Sequence, residues 1–289
     1  MSRAALMLRA ALVAASAAAI SLLSGCESAP TEARDYDPEP VLTAYLMRGE
    51  PVREVYLQRV APLQGFYLPG DHGITGADVL VRSIGGADSL TFHDDPEERG
   101  HYLPDDTTWV PRGAIRYRIE ARFDDDLLWA ETVVPGAFDL EVLPTPVAGD
   151  TLTRDDANIL LQWSTSDSAG GYTFSIMSLA DEDSLIHLDP DYEPDPEDAG
   201  EDSLARSAGW MMREDQRTLT IPWIIFNWAG PYRVSVMAVT SEYYEYAFAW
   251  MRIASGAEMT PPTNIHGGLG IFAGLSRHQF EFYMKPVAG

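Results

Sequence analysis

Cysteine and lysine are almost absent from this sequence of 289 residues, in which Cys26 is the one cysteine and Lys285 the one lysine. A single cysteine cannot form a disulfide within the chain, so a disulfide-stapled fold is excluded. The chain has 20 basic residues against 44 acidic ones, and its formal charge is −24. Such an acidic surface repels phosphate backbones, which argues against nucleic-acid binding. With 46% hydrophobic residues, the chain has enough apolar side chains for a packed core.

Acidic residues are also absent from residues 1–26, where two arginines precede an alanine-rich apolar run. This pattern is typical of a bacterial export signal. The run is too short and too rich in alanine for a typical membrane-spanning helix, which needs about 20 strongly apolar residues. Leu23, Ser24, Gly25 and Cys26 resemble the lipobox of bacterial lipoproteins, in which the cysteine thiol is diacylated, the peptide is cut in front of the cysteine, and the new α-amine is acylated. The alternative is an ordinary signal peptide with a chance cysteine at its end.

The lipobox resemblance implies a signal peptide over residues 1–25, lipidation of Cys26 and anchoring of the mature chain to a lipid bilayer. Several acyl chains on one residue give stable anchoring. Removal of residues 1–25 takes away two arginines and no acids, so the formal charge becomes −26. Residues 26–40 are acidic and contain three prolines, which predicts an extended tether.

Residues 41–136 are predicted to form an N-terminal β-sandwich. Six short segments with alternating apolar residues are separated by Gly, Pro and Asp. In one of them, Ile115, Tyr117 and Ile119 share a face, while the intervening positions are charged. A period of two is typical of half-buried antiparallel strands, and several such strands at this spacing favour a sandwich.

Residues 137–289 are predicted to form a second sandwich. Apolar residues alternate over 159–163, 172–176 and 232–239, and these strands resemble those of a fibronectin type III or immunoglobulin-like domain. The predicted fold class is therefore all-β, with two antiparallel sandwiches. An acidic insertion at about 180–216 and a C-terminal extension depart from that pattern.

The extension favours a short helix from Ser241, as N-cap, to about residue 253, with a strand as the alternative. Tyr243, Tyr246 and Trp250 would share one helix face, which we interpret as packing rather than as a binding site. The glycine-rich segment that follows, around Gly267 to Gly270, is predicted to turn tightly or to lie against another backbone.

The acidic insertion invites a calcium interpretation, because residues 181–202 contain eleven acids and no Lys or Arg. From Asp189, acids recur at every second position, but the sixth position is Pro194 and the twelfth is Gly200. An EF-hand needs Gly and Glu at those positions and is therefore rejected. A solvated acidic loop is the preferred interpretation, and a looser Ca²⁺ site is the alternative.

No catalytic, cofactor-binding or metal-ligating residue can be assigned. None of the six histidines has a zinc-ligand spacing such as H-E-x-x-H. The segment from Gly274 to His278 lacks the second glycine of a nucleophile elbow. With 44 acids, pairs of carboxylates carry no information about glycoside hydrolysis.

A family resemblance comes through the C-terminal segment 262–274, PTNIHGGLGIFAG, together with the lipobox and the earlier segments GEPV at 49–52, ITGADV at 74–79 and GHY at 100–102. In this order they resemble the envelope lipoproteins known as domain of unknown function 4249, which are abundant in the Bacteroidota. The resemblance implies no established activity. It implies a protein of the cell envelope, anchored at the outer membrane, with a TonB-dependent outer-membrane receptor as candidate partner.

We therefore expect a non-enzymatic, membrane-tethered binding or accessory module. Two alternatives are a carboxylate-dependent envelope hydrolase, assisted by Ca²⁺, and a purely structural envelope protein. Residues 264–274 are a candidate contact segment, although tight packing is the preferred interpretation of their glycines.

Overall fold

About half of the described residues lie in β-strands, and most of the rest form turns and loops between them. The structure is a computed structural model that describes residues 38–61, 72–143, 151–153, 158–181, 186–188 and 206–286. The predicted signal peptide, Cys26 and most of the tether lie outside the described residues, as does most of the acidic segment 181–202. The all-β prediction is confirmed.

The N-terminal half contributes seven strands, which are β1 (Pro40–Met47), β2 (Val55–Arg59), β3 (Asp78–Ser83), β4 (Ser89–Asp94), β5 (His101–Pro104), β6 (Arg116–Phe123) and β7 (Asp126–Val133). They pair in the order β1-β2-β5-β4-β3-β6-β7, with antiparallel neighbours. Because alternate residues of these strands point inward, one apolar cluster fills the space between them. The strand β5 was not predicted from the sequence.

The C-terminal half contributes the remaining strands and the one described α-helix. They are β8 (Leu140–Leu143), β9 (Thr151–Leu152), β10 (Ile159–Trp163), β11 (Gly171–Ser178), β12 (Ile186–His187), β13 (Ser207–Arg213), β14 (Thr218–Ile221), β15 (Trp228–Val239), the helix α1 (Ser241–Ala254) and β16 (Leu269–Met284). One sheet has the order β14-β10-β8, and β13-β11-β15-β16 is part of the larger sheet. A second apolar cluster, which includes Trp163, Phe174 and Val236, fills the space between them.

In each half, a tyrosine of one long strand is hydrogen-bonded to the backbone four or five residues upstream. The Tyr117 hydroxyl accepts a hydrogen bond of 2.8 Å from the Arg112 N–H. The Tyr232 hydroxyl donates to the Trp228 carbonyl at 2.9 Å and accepts from its N–H at 3.1 Å. The same device is characteristic of immunoglobulin-like sandwiches, where it fixes the corner that leads into a central strand.

The strand β16 connects the two halves. Its first part, Leu269 to Leu275, runs parallel to β1, and its second part, from Leu275 on, runs antiparallel to β15. Phe272 of this strand belongs to the N-terminal apolar cluster, whereas Phe282 belongs to the C-terminal one. Residues 39–289 form one compact unit, and the division into domains at 41–136 and 137–289 stays a prediction.

The C-terminal helix is confirmed, and the strand alternative is wrong. The N-cap residue is Thr240 rather than the predicted Ser241, which is the first helical residue. Across the described residues, no helix is both long enough and apolar enough to span a bilayer. The predicted insertion at about 180–216 contains two paired strands, since β13 pairs with β11 and β12 pairs with β15.

Candidate functional site

A pocket of about 340 Å³, here called the tyrosine pocket, lies on the described surface. It lies where β1, the segment 50–54, the start of α1 and the middle of β16 meet. Its nine lining residues are Tyr45, Met47, Glu50, Pro51, Arg53, Glu54, Tyr243, Leu275 and Arg277. Both halves of the chain therefore contribute to one site.

The alternation of β1 explains why Tyr45 and Met47 line the pocket. Leu42, Ala44 and Leu46 are buried in the N-terminal core, so the odd-numbered side chains point to the opposite face. The strand β16 pairs with β1 in parallel, and Leu275 is the register partner of Met47. The neighbouring strands thus build a continuous apolar floor.

A charge pair holds the segment 50–54 against β16. The Arg277 guanidinium donates to both carboxylate oxygens of Glu50, at 2.7 and 2.8 Å. Close by, Arg48 Nε donates to Ser276 Oγ at 2.9 Å, and the Arg48 N–H donates to the Leu275 carbonyl at 2.8 Å. Charge-assisted hydrogen bonds of this kind fix geometry as well as energy, so they define the pocket wall.

Two tyrosines that contact each other also line the pocket. The rings of Tyr45 and Tyr243 meet edge to face, with centroids 5.8 Å apart. Burial raises the pKa of both hydroxyls, and the neighbouring tyrosines Tyr243 and Tyr246 raise that of Tyr45 further. Both phenols therefore keep their protons at physiological pH and can donate hydrogen bonds.

Arg53 is the charged group of the pocket that remains available. Its exposed side chain makes no hydrogen bond or ion pair with any described residue. Glu54, in contrast, accepts a hydrogen bond from the Tyr56 hydroxyl at 3.4 Å and lies 3.2 Å from Nε2 of His101.

The predicted contact segment 264–274 is mostly internal. The Asn264 side chain accepts from the Phe272 N–H at 3.0 Å and donates to the Phe272 carbonyl at 2.7 Å, as a neighbouring strand would. A Cβ on Gly270 would lie 2.0 Å from the Leu42 carbonyl oxygen, and one on Gly274 would lie 2.6 Å from that of Val133. These glycines permit close backbone packing, which supports the preferred interpretation and removes them as a contact surface.

Two other sequence hypotheses can be placed on the structure. In the rejected nucleophile segment, Ser276 is fully buried and bonded to Arg48, while His278 contacts the Phe138 carbonyl. Within the ranges that the structure describes, no three His, Cys, Asp or Glu side chains are arranged to hold a metal ion. The alternating acids of the calcium hypothesis lie outside those ranges.

The predicted aromatic face of α1, formed by Tyr243, Tyr246 and Trp250, is packed at its N-terminal end and exposed at its C-terminal end. Tyr243 packs on Tyr45, whereas Trp250 is 49% exposed and contacts Tyr246 of its own helix. Phe248 and Met251 of α1 are 45% and 46% exposed. Tyr243 is therefore packed, as interpreted, but it also lines the tyrosine pocket, whereas Trp250 is half exposed.

Sequence reasoning missed the pocket itself. Glu50 and Arg277 lie in segments that were singled out, but 227 positions separate them. Opposite charges at such a separation give no signal of pairing in one sequence. Arg53 and Tyr45 carried no motif, and Tyr243 was assigned to packing alone.

Comparison with known proteins identifies a family but no activity. A family model described as "Domain of unknown function (DUF4249)" matches residues 29–281. No curated protein matches the chain. Among solved structures, the chicken CNTN1 FN1-FN3 domains are 13% identical, with a TM-score of 0.26 over 86% of this chain and 68% of that one. A chimeric titin Z1Z2 is 9% identical, with a TM-score of 0.20 over 86% and 97%. The fold described above rests on strand pairing and not on these two likenesses.

Proposed function

Since the chain belongs to the DUF4249 family, for which that description gives no activity, we propose that it is a lipid-anchored envelope protein that acts by binding rather than by catalysis. The observation that carries this proposal is the tyrosine pocket. It combines an apolar floor, two protonated phenols and an available guanidinium. Its lining residues include no Ser, Thr, Cys, His or Asp, so the lining holds no nucleophile beside a histidine base.

The proposed anchor is the acyl group on Cys26, and the proposed location is the outer membrane. The support is the lipobox-like sequence LSGC at 23–26. Mass spectrometry of the membrane-extracted protein should show cleavage after Gly25 and an acylated Cys26. An unmodified Cys26, or cleavage elsewhere, contradicts the anchor. In the variant Cys26→Ala we expect an uncleaved precursor without acylation, because the thiol that accepts the lipid is gone.

The proposed partner class is a TonB-dependent outer-membrane receptor. The support is the family resemblance, together with the exposed apolar side chains Phe248 and Met251 on α1. The mature charge of −26 disfavours self-association and favours a partner with a basic face. Contact of that kind weakens as salt rises, because the Debye length at physiological ionic strength is only about 8 Å.

Crosslinking in intact cells, followed by affinity purification of the full chain at low and high salt, tests the partnership. We expect one envelope protein to be enriched, and to be lost at high salt when crosslinking is omitted. Recovery of no envelope protein in either condition, from cells with an intact anchor, contradicts the proposal and favours a purely structural protein.

A further inference from the structure

We infer that the tyrosine pocket binds an organic monocarboxylate whose body is apolar or aromatic. The inference rests on the proposed binding function and adds the chemical class of the ligand. The carboxylate would pair with Arg53 and the two phenols, and the body would lie on the floor of Met47 and Leu275.

The charges of the pocket favour an anion. Four of its lining residues are charged, and their formal charges cancel. Glu50 is neutralised by the two hydrogen bonds from Arg277, and Glu54 is held by Tyr56 and His101. Arg53 has no such counterpart among the described residues. A ligand carboxylate would supply it, because guanidinium and carboxylate form paired hydrogen bonds.

The remaining polar groups of the pocket match the same ligand. Neither the Tyr45 nor the Tyr243 hydroxyl makes a hydrogen bond with a described residue, and both are protonated donors. A carboxylate is an acceptor with about four lone-pair sites, so it can receive both phenols and the guanidinium at once. A cationic ligand would instead leave all three donors without an acceptor.

The size and lining of the pocket define the rest of the ligand. A volume of about 340 Å³ is at the lower end of the range of about 300–1,000 Å³ that small-molecule sites occupy. Leu275 is buried, and Met47 and Pro51 add apolar surface. These dimensions suit one ring or a short aliphatic chain, either as a free acid or as the last residue of a peptide with its free carboxylate.

Binding of two pairs of probes to the full-length, detergent-extracted protein tests the inference by calorimetry. Phenylacetate is compared with its neutral isostere phenylacetamide, and the peptide N-acetyl-Gly-Gly-Phe with a free carboxylate is compared with the same peptide amidated. We expect the acids to bind about 10–100-fold more tightly than the amides, because a charge-assisted contact is lost. The tighter of the two acids identifies the source of the carboxylate.

Variants locate the binding. Arg53→Gln should weaken acid binding about 10–100-fold, and Tyr45→Phe about 2–10-fold. The matched control is Arg213→Gln on β13, since that side chain is 80% exposed and pairs with Asp215. Unchanged thermal melting shows that each variant is folded. The inference is contradicted by equal binding of acid and amide, by equal effects of the two arginine variants, or by no binding at millimolar concentration.

Failure of this inference and failure of the proposed function give different results. If an envelope partner is recovered with wild-type and Arg53→Gln protein alike, but no acid binds, only the ligand class is wrong. If no partner is recovered from either and no acid binds, the binding function is itself contradicted.

Discussion

Gly270 lies in β16, and of the glycines in and just before this strand it is the one whose added Cβ would come closest to β1. Its φ is +110°, and an added Cβ would lie 2.0 Å from the Leu42 carbonyl oxygen. Leu42 and Gly270 are register partners in the parallel pairing of β1 and β16. The variant Gly270→Ala must therefore adopt an unfavourable φ and also push two buried strands apart.

The size of that effect can be worked out from two contributions. An unfavourable backbone conformation costs about 1–3 kcal/mol, and overpacking of a rigid core costs about 1–3 kcal/mol more. We expect the free energy of unfolding to fall by about 2–6 kcal/mol, out of the 5–15 kcal/mol that is usual for a domain. For a unit of this size, that corresponds to a fall in Tm of about 4–24 °C.

Gly76→Ala is the matched control for the conformational part. Gly76 has a φ of +74°, but nothing lies within 4 Å of its added Cβ. It should cost about 1–2 kcal/mol, from the left-handed backbone alone. Calorimetric melting of both variants checks this. If Gly270→Ala is no more destabilising than Gly76→Ala, then β16 does not pack against β1 as described.

Two further predictions concern the cores. Trp163 is 5% exposed, so Trp163→Ala should lower the free energy of unfolding by about 3–5 kcal/mol. The control is Trp250→Ala, at a position that is 49% exposed, which should lower it by less than about 1 kcal/mol. Equal effects of the two variants in urea titrations would show that the inward face of β10 is misassigned. Tyr102 is fully buried, and its burial raises the pKa of its hydroxyl to about 12. The folded state therefore holds this proton more tightly than the unfolded chain, and stability should fall as the pH rises between about 10 and 12. Constant stability across that window would contradict the burial of this phenol.

Strands with one buried face could be predicted from sequence. In β6, Tyr117, Ile119 and Ala121 are buried and the intervening charged residues are not, as the alternation indicated. The helix α1 was predicted to within one residue at its C-terminal end. Local sequence patterns were enough to predict these elements, because buried and exposed positions recur with a fixed period along a strand or a helix.

Elements defined by distant partners could not be predicted in the same way. The segment at 267–270 was expected to turn or to lie against another backbone, but a continuous strand over Leu269–Met284 was not expected. Glycine lowers the intrinsic preference of a segment for the β-strand conformation. Only the positions of β1 and β7 in the folded chain explain why a side chain is excluded at Gly270 and Gly274. The pocket is subject to the same limit, since Glu50, Tyr243 and Arg277 meet only in the folded chain.

We propose that the protein acts by binding at the tyrosine pocket. The most direct test is site-specific photo-crosslinking in intact cells, with the reactive residue at Pro51 on the rim of the pocket and, as control, at Trp210 on the edge strand β13, which is 39% exposed. We expect a crosslinked envelope component at position 51 that is absent at position 210 and is displaced by an excess of phenylacetate or of N-acetyl-Gly-Gly-Phe, whichever acid binds more tightly. Equal crosslinking at both positions, or none at position 51 while the anchor is intact, would contradict it.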